Sequence, residues 1–322
     1  MIDWAQQQVL VTGGAGFVGQ HVVRALLAKG ARVVVLDDMS IGQRGTLAPH
    51  INLTLIEDTV ADPVAVMNAM KGCTAVVHLA ALVSVPLSVQ VPERCFRSNV
   101  VGTETVLDAA YRQGLRGRIL LASSAAVYGF QPEARPYTEA QANSAIPPTP
   151  YAVSKRINEQ QAHMYRTCYG LHIHALRFFN IYGAGQLMSP TAGVLTRVAN
   201  KLMAGEPIEL FGDGLQLRDY VSVHDVVAVM MALLEKPTSE MFPAVLNVAS
   251  GVATPLRAAM EMVAQHLGVE PRFKVLPATA GDVRYSCASI QALQSVLPAW
   301  EPTTLAQGLE QWLGQSRKSH IA

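Results

Sequence analysis

The stretch QVLVTGGAGFVGQHVVRALLAKGARVVVLDD, residues 8–38, decides the fold. Its first five residues, 8–12, are an apolar run that predicts a β-strand, and a glycine-rich turn follows. The turn leads into an amphipathic helix that ends near Lys29-Gly30. A second apolar strand covers 33–36 and ends at Asp37-Asp38. The order strand, glycine-rich turn, helix, strand predicts a βαβ unit with two parallel strands.

The glycines of this turn are spaced as in sites that hold a dinucleotide. Gly14, Gly16 and Gly19 match the pattern G-x-G-x-x-G, in which missing side chains allow a tight turn and a close approach of the backbone to a pyrophosphate. Exposed amides and the dipole at a helix start favour phosphates. An acidic residue about 20 positions on should bind the adenine ribose hydroxyls, and Asp37 occupies that place. Because carboxylates at Asp37 and Asp38 would repel a 2′-phosphate, the sequence predicts NAD rather than NADP.

Apolar strands alternate with helices through the first half of the chain. Further strands are predicted at 53–56, 75–79, 118–122 and 173–177, and helices at 64–70, 92–113 and 151–169. This alternation predicts an α/β fold, a doubly wound parallel Rossmann sheet covered on both faces. Ligands on such sheets bind beyond the carboxyl ends of the strands. The residues placed there are Asp37, Ala80, Ala81, Ser123, Ser124, Phe178 and Asn180.

After Asn180 the pattern loosens. Helices are predicted at 194–203, 226–234 and 256–266, strands at 245–248 and 273–276, and a turn at 210–214. We predict that the chain crosses back once to the nucleotide half around 219–249. The predicted NAD-binding domain is then 1–176 plus 219–249, and a smaller C-terminal α/β substrate domain comprises 177–218 plus 250–322.

Composition excludes several classes of partner. Of 322 residues, 50% are apolar and 15% charged, and the net charge is +1, so neither nucleic acid nor an anionic membrane is expected. The first eight residues lack the features of a signal peptide, and no segment reaches the roughly 20 apolar residues of a membrane helix. Four scattered cysteines without a C-x-x-C pair indicate a reducing, cytoplasmic setting. His172 and His174 share a strand face without a third ligand nearby in sequence, so no metal site is predicted.

Tyr151 and Lys155 stand four residues apart on a predicted helix, so their side chains lie on the same face. Pro150 is tolerated in a first helical turn, which places the helix start there with Thr149 as N-cap. A free tyrosine, with a pKa of about 10, is a poor base at neutral pH, but an adjacent ammonium favours the phenolate. The pair therefore predicts a proton-transfer device, although an ordinary amphipathic surface helix also gives this spacing.

Together these motifs resemble the extended short-chain dehydrogenase/reductase family, most closely its nucleotide-sugar 4-epimerase branch. The matching segments are TGGAGFVG at 12–19, LDD at 36–38, HLAA at 78–81 followed by Ser84-Val85-Pro86, NVVGT at 99–103, SSAAVYG at 123–129, PYAVSK at 150–155, RFFNIYG at 177–183, GDG at 212–214 continuing to Asp225, and GDVR at 281–284.

The resemblance implies a mechanism. Tyr151 as phenolate would take the proton of the sugar 4-hydroxyl while a hydride passes from C4 to NAD⁺; the 4-keto sugar would turn over, and the hydride would return to its other face. Ser124 would hydrogen-bond the reacting oxygen. Lys155 would hold the nicotinamide ribose and lower the pKa of Tyr151. Because the redox change cancels, NAD would be a retained catalyst.

The resemblance also implies the remaining site residues. Asp58 would lie near the adenine, Asn99 would support the site, and Asn180, Arg218 and Arg284 would hold the diphosphate. Guanidinium suits phosphate, although Arg218 could instead pair with a neighbouring aspartate. The implied cofactor residues are Gly13, Gly16, Phe17, Val18, Gly19, Asp37, Asp38, Asp58, Thr59, Leu79, Ala80, Ala81, Asn99, Ser123, Tyr151, Lys155 and Phe178. The implied substrate residues are Ser84, Ser124, Tyr151, Asn180, Arg218, Arg284 and Ser286.

Departures from the family pattern narrow the chemistry. Ala125-Ala126 stands where family dehydratases have an acid and a base for water loss, and alanine can be neither. Ser286 stands where a bulky tyrosine would exclude N-acetylated sugars, so UDP-GlcNAc and UDP-GalNAc are expected substrates beside UDP-glucose and UDP-galactose. Thr279 replaces a phosphate-binding arginine of many family members.

The family also implies a homodimer through the helices around 98–113 and 151–169. Two other functions stay open: a nucleotide-sugar reductase or dehydrogenase on the same scaffold, and a non-catalytic nucleotide-binding regulator. Neither the nucleotide base nor the sugar follows from the fold.

Overall fold

Strands and helices follow one another in the predicted alternation through the first half of the chain. The structure is a computed structural model that describes residues 2–42, 44–130, 134–188, 192–278 and 283–320. Its strands are β1 Gln8–Thr12, β2 Arg32–Asp37, β3 Leu53–Glu57, β4 Ala75–His78, β5 Arg118–Ser124, β6 His172–Phe178, β7 Asn180–Tyr182, β8 Ile208–Phe211, β9 Leu217–Ser222, β10 Val245–Val248, β11 Ala253–Pro255, β12 Phe273–Leu276 and β13 Tyr285–Ser286. Its helices are α1 Phe17–Ala28, α2 Pro63–Met70, α3 Val85–Gln90, α4 Pro92–Phe96, α5 Gly102–Arg112, α6 Pro150–Tyr169, α7 Val194–Met203, α8 Val223–Glu235, α9 Leu256–Leu267, α10 Gln291–Val296 and α11 Leu305–His320.

Seven strands form one parallel sheet in the order β10-β6-β5-β4-β1-β2-β3. This confirms the predicted doubly wound Rossmann sheet. Chain order reverses between β1 and β4, and the crevice at such a reversal is where open α/β sheets bind ligands. The register pairs Thr12 with His78, so the glycine-rich turn and the segment after β4 meet at one edge of the sheet.

Both faces of the sheet are covered by apolar helix faces. Helices α1, α8 and α10 contribute Val22, Leu26 and Met230, among others, to one core. Helices α2, α5 and α6 contribute a second core on the opposite face. Full burial of a side chain such as leucine stabilises a fold by about 1.5–3 kcal/mol, so these two layers fix the strands that carry the site.

The second half of the chain builds smaller sheets and returns once to the large one. Strands β7, β9, β11 and β13 form a mixed sheet, and β8 pairs with β12. Helices α7, α9 and α11 share a third core. Helix α8 packs on α1, and β10 joins the large sheet beside β6. The division into two domains at the stated boundaries stays a prediction.

Several elements differ from those predicted, and the short strands β7, β9, β11 and β13 were not predicted. The predicted helix at 92–113 contains a π-helical turn, Arg97–Val101, between α4 and α5. Helix α3 was not predicted; it has six residues and is capped by Ser84, whose Oγ accepts from Leu87 N at 3.1 Å. Strand β8 occupies the start of the predicted turn at 210–214, because Ile208 and Leu210 alternate into the core.

Within the described ranges, no helix combines the length and apolar character needed to cross a bilayer.

Candidate active site

The glycine-rich turn after β1 is packed so closely that two positions admit no side chain. Gly13 has φ +68°, and a Cβ there would lie 2.7 Å from Ala80 N. A Cβ at Gly19 would lie 2.1 Å from the carbonyl oxygen of Gly13. Helix α1 begins at Phe17, and its N-cap, Gly16, supplies no side-chain hydrogen bond to the first amides. The turn thus presents backbone amides at a helix start, which suits a pyrophosphate.

A cavity of about 700 Å³ runs from this turn along the carboxyl ends of the strands. Nearly all predicted cofactor residues line it: Gly13, Gly16, Phe17, Val18, Gly19, Asp37, Asp38, Asp58, Thr59, Leu79, Ala80, Ala81, Ser123, Tyr151, Lys155 and Phe178. This set combines a pyrophosphate cradle, carboxylates at one end and the tyrosine-lysine pair at the other. The residues present therefore fit a dinucleotide.

Asn99 is the exception, and it stands behind the cavity wall. It is fully buried; its Oδ1 accepts from Leu82 N at 2.7 Å, and its Nδ2 donates to Leu82 O at 3.1 Å and to Ser154 Oγ at 2.9 Å. Its side chain thus ties the loop after β4 to α6. Asn99 supports the wall rather than lining it.

The carboxylates near the glycine-rich turn are held by local backbone amides. Asp37 accepts from Ala15 N and Met39 N, each at 2.9 Å, and Asp38 accepts from Ser40 N at 3.0 Å. Burial raises the pKa of Asp37, while the two amides act in the opposite direction. A fixed carboxylate after β2 is the feature that accepts ribose hydroxyls.

The catalytic candidates meet at the other end of the cavity. Helix α6 begins at Pro150, and Thr149 Oγ1 accepts from Ala152 N at 3.2 Å, which confirms the predicted start. Lys155 is 3% exposed, and its Nζ donates to the carbonyl oxygen of Ala122 at 2.8 Å. Tyr151 is hydrogen-bonded to the Ser124 side chain. All three predicted catalytic side chains therefore line one cavity.

The pKa of Tyr151 shifts in the direction opposite to the prediction. Burial raises the pKa of Tyr151, and the hydrogen bond with Ser124 only opposes this rise. Burial also lowers the pKa of Lys155 to about 8. The reason is geometric: Lys155 Nζ points at the Ala122 carbonyl and lies 6.0 Å from the Tyr151 ring centroid. Without a bound ligand, desolvation outweighs the ammonium charge.

The predicted substrate residues are more dispersed. Ser124, Tyr151 and Asn180 line the cavity, whereas Ser84, Arg218, Arg284 and Ser286 do not. Ser84 is engaged as the cap of α3. Arg218 Nη1 donates to Val283 O at 2.5 Å, and Ser286 pairs with Arg218 across β13 and β9. The roles of these four residues stay predictions.

Arg284 makes a two-pronged ion pair with Asp213. Its Nη1 and Nη2 donate to the two carboxylate oxygens at 2.7 and 2.8 Å, and both side chains are largely exposed. This contact lowers the pKa of Asp213 to about 2. Thr279 and the Gly281-Asp282 part of the adjacent motif lie outside the described residues.

The sequence analysis did not identify several cavity residues beyond Asn180. Gln186 Oε1 accepts from Gly193 N at 3.1 Å and from Thr196 Oγ1 at 2.5 Å, which ties the loop after β7 to α7. Gln186, Thr196 and Tyr220 all line the cavity. No short motif marks them, because they come together only through the packing of the smaller sheets.

Comparison with known proteins shows which family the chain belongs to. Residues 9–249 match the model of the NAD dependent epimerase/dehydratase family. The chain is 36% identical over 313 residues to a UDP-glucose 4-epimerase of Mycolicibacterium smegmatis, covering 94% of this chain and 96% of the relative. A UDP-glucose 4-epimerase of Thermus thermophilus, solved with NAD, superposes with TM-score 0.87 at 32% identity, covering 97% of this chain and 99% of that one.

A UDP-N-acetylglucosamine 4-epimerase of Methanobrevibacter ruminantium, solved with UDP-N-acetylmuramic acid, gives TM-score 0.86 at 30% identity and covers 96% of this chain and 99% of that one. The matched region spans the glycine-rich turn, the tyrosine-lysine helix and β10. The chain therefore belongs to the NAD-dependent epimerase/dehydratase family of extended short-chain dehydrogenase/reductase enzymes, and its cofactor is NAD.

Proposed function

We propose that this enzyme is a nucleotide-sugar 4-epimerase that inverts C4 of a UDP-hexose through a transient 4-keto sugar. One observation carries the proposal: Tyr151, hydrogen-bonded to Ser124, and buried Lys155 line the same cavity as the glycine-rich turn and its carboxylates. A proton-transfer pair that shares a cavity with a dinucleotide cradle suits oxidation and reduction of an alcohol carbon.

NAD supplies, when bound, a nicotinamide ring that accepts a hydride and gives it back. The chain's own residues do the rest. Tyr151 takes the proton of the C4 hydroxyl and later returns it, and Ser124 holds the same oxygen by a hydrogen bond. Lys155 keeps a cation beside the tyrosine, which favours the phenolate once the site is filled. The apolar wall formed by Leu79, Ala80 and their neighbours limits the access of water to the reacting carbon.

Two features favour plain epimerisation over elimination. Ala125-Ala126 follows Ser124 directly in a 3₁₀ turn, and neither methyl group can donate or accept a proton. Among the described residues that line the cavity, the carboxylates are Asp37, Asp38 and Asp58, which lie at the ends of β2 and β3 rather than of β5. Loss of water from C5 and C6 of the sugar would need such an acid and base.

We also propose that the sugar pocket accepts N-acetylated substrates. Ser286 lies in β13 beside Arg218, and serine is small where a bulky side chain would exclude an acetamido group. The relative from Methanobrevibacter ruminantium named for UDP-N-acetylglucosamine supports this reading. Turnover of UDP-glucose with none of UDP-GlcNAc would contradict it.

A homodimer through α5 and α6 is part of the proposal. These two helices leave Tyr111, Met164 and Tyr169 exposed, and the rings of Tyr111 and Tyr169 lie 4.6 Å apart. Exposed apolar side chains on neighbouring helices favour association. Light scattering of the wild type and of Tyr169→Asp tests it; a monomeric wild type would reject it.

The decisive experiment uses the purified protein without added cofactor. It is incubated with UDP-, dTDP- and GDP-sugars, the products are resolved by NMR, and the bound dinucleotide is identified in the same preparation. We expect interconversion of UDP-glucose and UDP-galactose with no net NADH. Stoichiometric release of NADH, or a stoichiometric requirement for it, would favour a dehydrogenase or reductase. Solvent deuterium at C4 of the product would rule out hydride transfer.

A further inference from the structure

Helix α6 contacts three successive residues of β5 with three successive turns. Tyr151, Lys155 and Glu159 are spaced by four and therefore share one face of the helix. Tyr151 is hydrogen-bonded to the Ser124 side chain, and Lys155 Nζ donates to Ala122 O at 2.8 Å. The third contact joins the strand to Glu159: Ser123 Oγ donates to Glu159 Oε1 at 2.6 Å.

Glu159 is a buried carboxylate held by a buried cation. It is 5% exposed, and Arg177 of β6 is 1% exposed. Arg177 Nε donates to Oε1 at 2.8 Å and Nη2 donates to Oε2 at 2.9 Å, which is the two-pronged geometry that guanidinium and carboxylate favour. Glu159 thus bridges β5 and β6 from behind the reacting end of the cavity.

From Arg177 the hydrogen-bond network continues toward β13. Arg177 Nη1 donates to the Tyr128 hydroxyl at 3.0 Å, and Tyr128 donates to Asn247 Oδ1 at 2.6 Å. Asn247 Nδ2 in turn donates to Tyr137 O at 2.8 Å, and Tyr137 donates to the carbonyl oxygen of Tyr285 in β13. The links from Arg177 to Tyr137 are buried and the last one is partly buried. Breaking a buried link leaves an unsatisfied group, so the network resists displacement of its members.

We propose that Glu159 is a positioning residue for the reaction: by holding Ser123 against α6 it fixes the end of β5 and so sets Ser124 opposite Tyr151. The proposal rests on the function proposed above. A buried ion pair that only stabilises the fold would predict lower stability with unchanged turnover. A positioning role predicts lost turnover in a folded, cofactor-loaded enzyme, because reacting groups tolerate little misplacement.

Two variants separate these possibilities in the holoenzyme. Ser123→Ala removes the link to β5 and leaves the pair of Glu159 and Arg177 intact, so the variant should fold. Glu159→Gln removes the charge. Arg156→Gln is the matched control, since Arg156 Nη1 also donates to Glu159 Oε2, at 3.1 Å, from a more exposed position without touching β5.

We expect kcat for UDP-glucose to fall between about tenfold and a hundredfold in Ser123→Ala and in Glu159→Gln, with KM and NAD content near wild type. Because glutamine replaces one of the two acceptor oxygens of Glu159 with an amide donor, both variants weaken the same link, and the double variant should be no slower than the slower single one. Arg156→Gln should keep its kcat. Multiplying losses in the double variant, or an unchanged kcat in Ser123→Ala, would overturn the proposal.

A second measurement does not depend on turnover. Tyrosinate absorbance is titrated with pH as the difference between each protein and its Tyr151→Phe counterpart. Loss of the hydrogen bond from Ser124 should raise the pKa of Tyr151 in both Ser123→Ala and Glu159→Gln, whereas removal of the Glu159 charge alone would lower it. A lowered or unchanged pKa overturns the positioning role. A wild type without epimerase activity would reject the proposed function and leave this readout intact.

Discussion

Replacing Lys155 by methionine should remove a pH-dependent part of the protein's stability. Burial lowers the pKa of Lys155 from 10.5 to about 8, against the opposing charges of Cys95 and Glu159. Because burial penalises the ammonium, the folded state binds this proton less tightly than the unfolded chain does. Between about pH 8 and pH 10.5 the unfolded chain therefore carries more of this proton, and stability rises with pH. The fall in pKa corresponds to about 3 kcal/mol.

The assay is urea denaturation of cofactor-free wild type and Lys155→Met, under reducing conditions, from about pH 7 to about pH 11. The free energy of unfolding of the wild type should rise by about 3 kcal/mol relative to the variant across this range. Methionine also removes the hydrogen bond to Ala122 O, which the neutral amine can donate as well as the ammonium, so this loss shifts the variant's curve without adding a slope of this sign. Parallel curves would refute the burial argument. A wild-type curve that falls relative to the variant would mean that a partner stabilises the ammonium.

Three further predictions concern NAD binding, the role of Tyr151 in turnover, and the ion pair between Arg284 and Asp213. Gly19→Ala places a Cβ 2.1 Å from a backbone oxygen, so we expect about 1–3 kcal/mol of destabilisation and loss of bound NAD on gel filtration. Gly45→Ala is the control: its Cβ would enter open space, so stability and NAD content should match the wild type. Tyr151→Phe should lower kcat by about 10²–10⁴-fold while NAD content is retained, measured by NMR of the products and absorbance of the cofactor. Asp213→Asn removes the exposed ion pair with Arg284. Because exposed ion pairs are weak, we expect UDP to bind at most about fivefold more tightly in calorimetry. Weaker binding of UDP by the variant would contradict this prediction.

Local signals explain why most of the large sheet followed from the sequence. The glycine-rich turn, the apolar strands and the period of the helices are each contained in a window of about 15 residues. Some short elements of the second half and the loops were missed, among them α3, which has six residues, and β8, which has four and runs directly into Gly212. The π-helical turn at Arg97–Val101 escaped prediction for another reason. It contains Asn99, whose side chain bonds Leu82, 17 residues earlier in the chain.

The sequence placed the tyrosine-lysine pair on one helix face but could not give its electrostatics. The spacing places Tyr151 and Lys155 next to each other on the helix. The pKa of Tyr151, however, depends on the direction in which Lys155 Nζ points and on how much water reaches the tyrosine hydroxyl. In the fold, the Lys155 ammonium donates a hydrogen bond to the Ala122 carbonyl, and burial raises the pKa of Tyr151. The Ala122 carbonyl belongs to β5, which ends at Ser124, well before α6 begins at Pro150, so the spacing within α6 does not show this contact. The phenolate in the proposed mechanism would be favoured by further positive charge, which the oxidised nicotinamide ring would supply.

The two predicted halves of the site differ in how they are held, and this explains why nearly all predicted cofactor residues line the cavity while four predicted substrate residues do not. The predicted cofactor half rests on backbone geometry: a Cβ at Gly13 or Gly19 would lie within 3 Å of backbone atoms, so the turn packs without side chains there. The predicted substrate residues include long cationic side chains, and one of them, Arg284, pairs with Asp213 in this structure. Exposed ion pairs of this kind contribute little and exchange readily, while a diphosphate offers guanidinium a two-pronged partner of higher charge. A motif in the sequence thus determines where a glycine turn lies, but for an arginine it determines only the region that the side chain can reach.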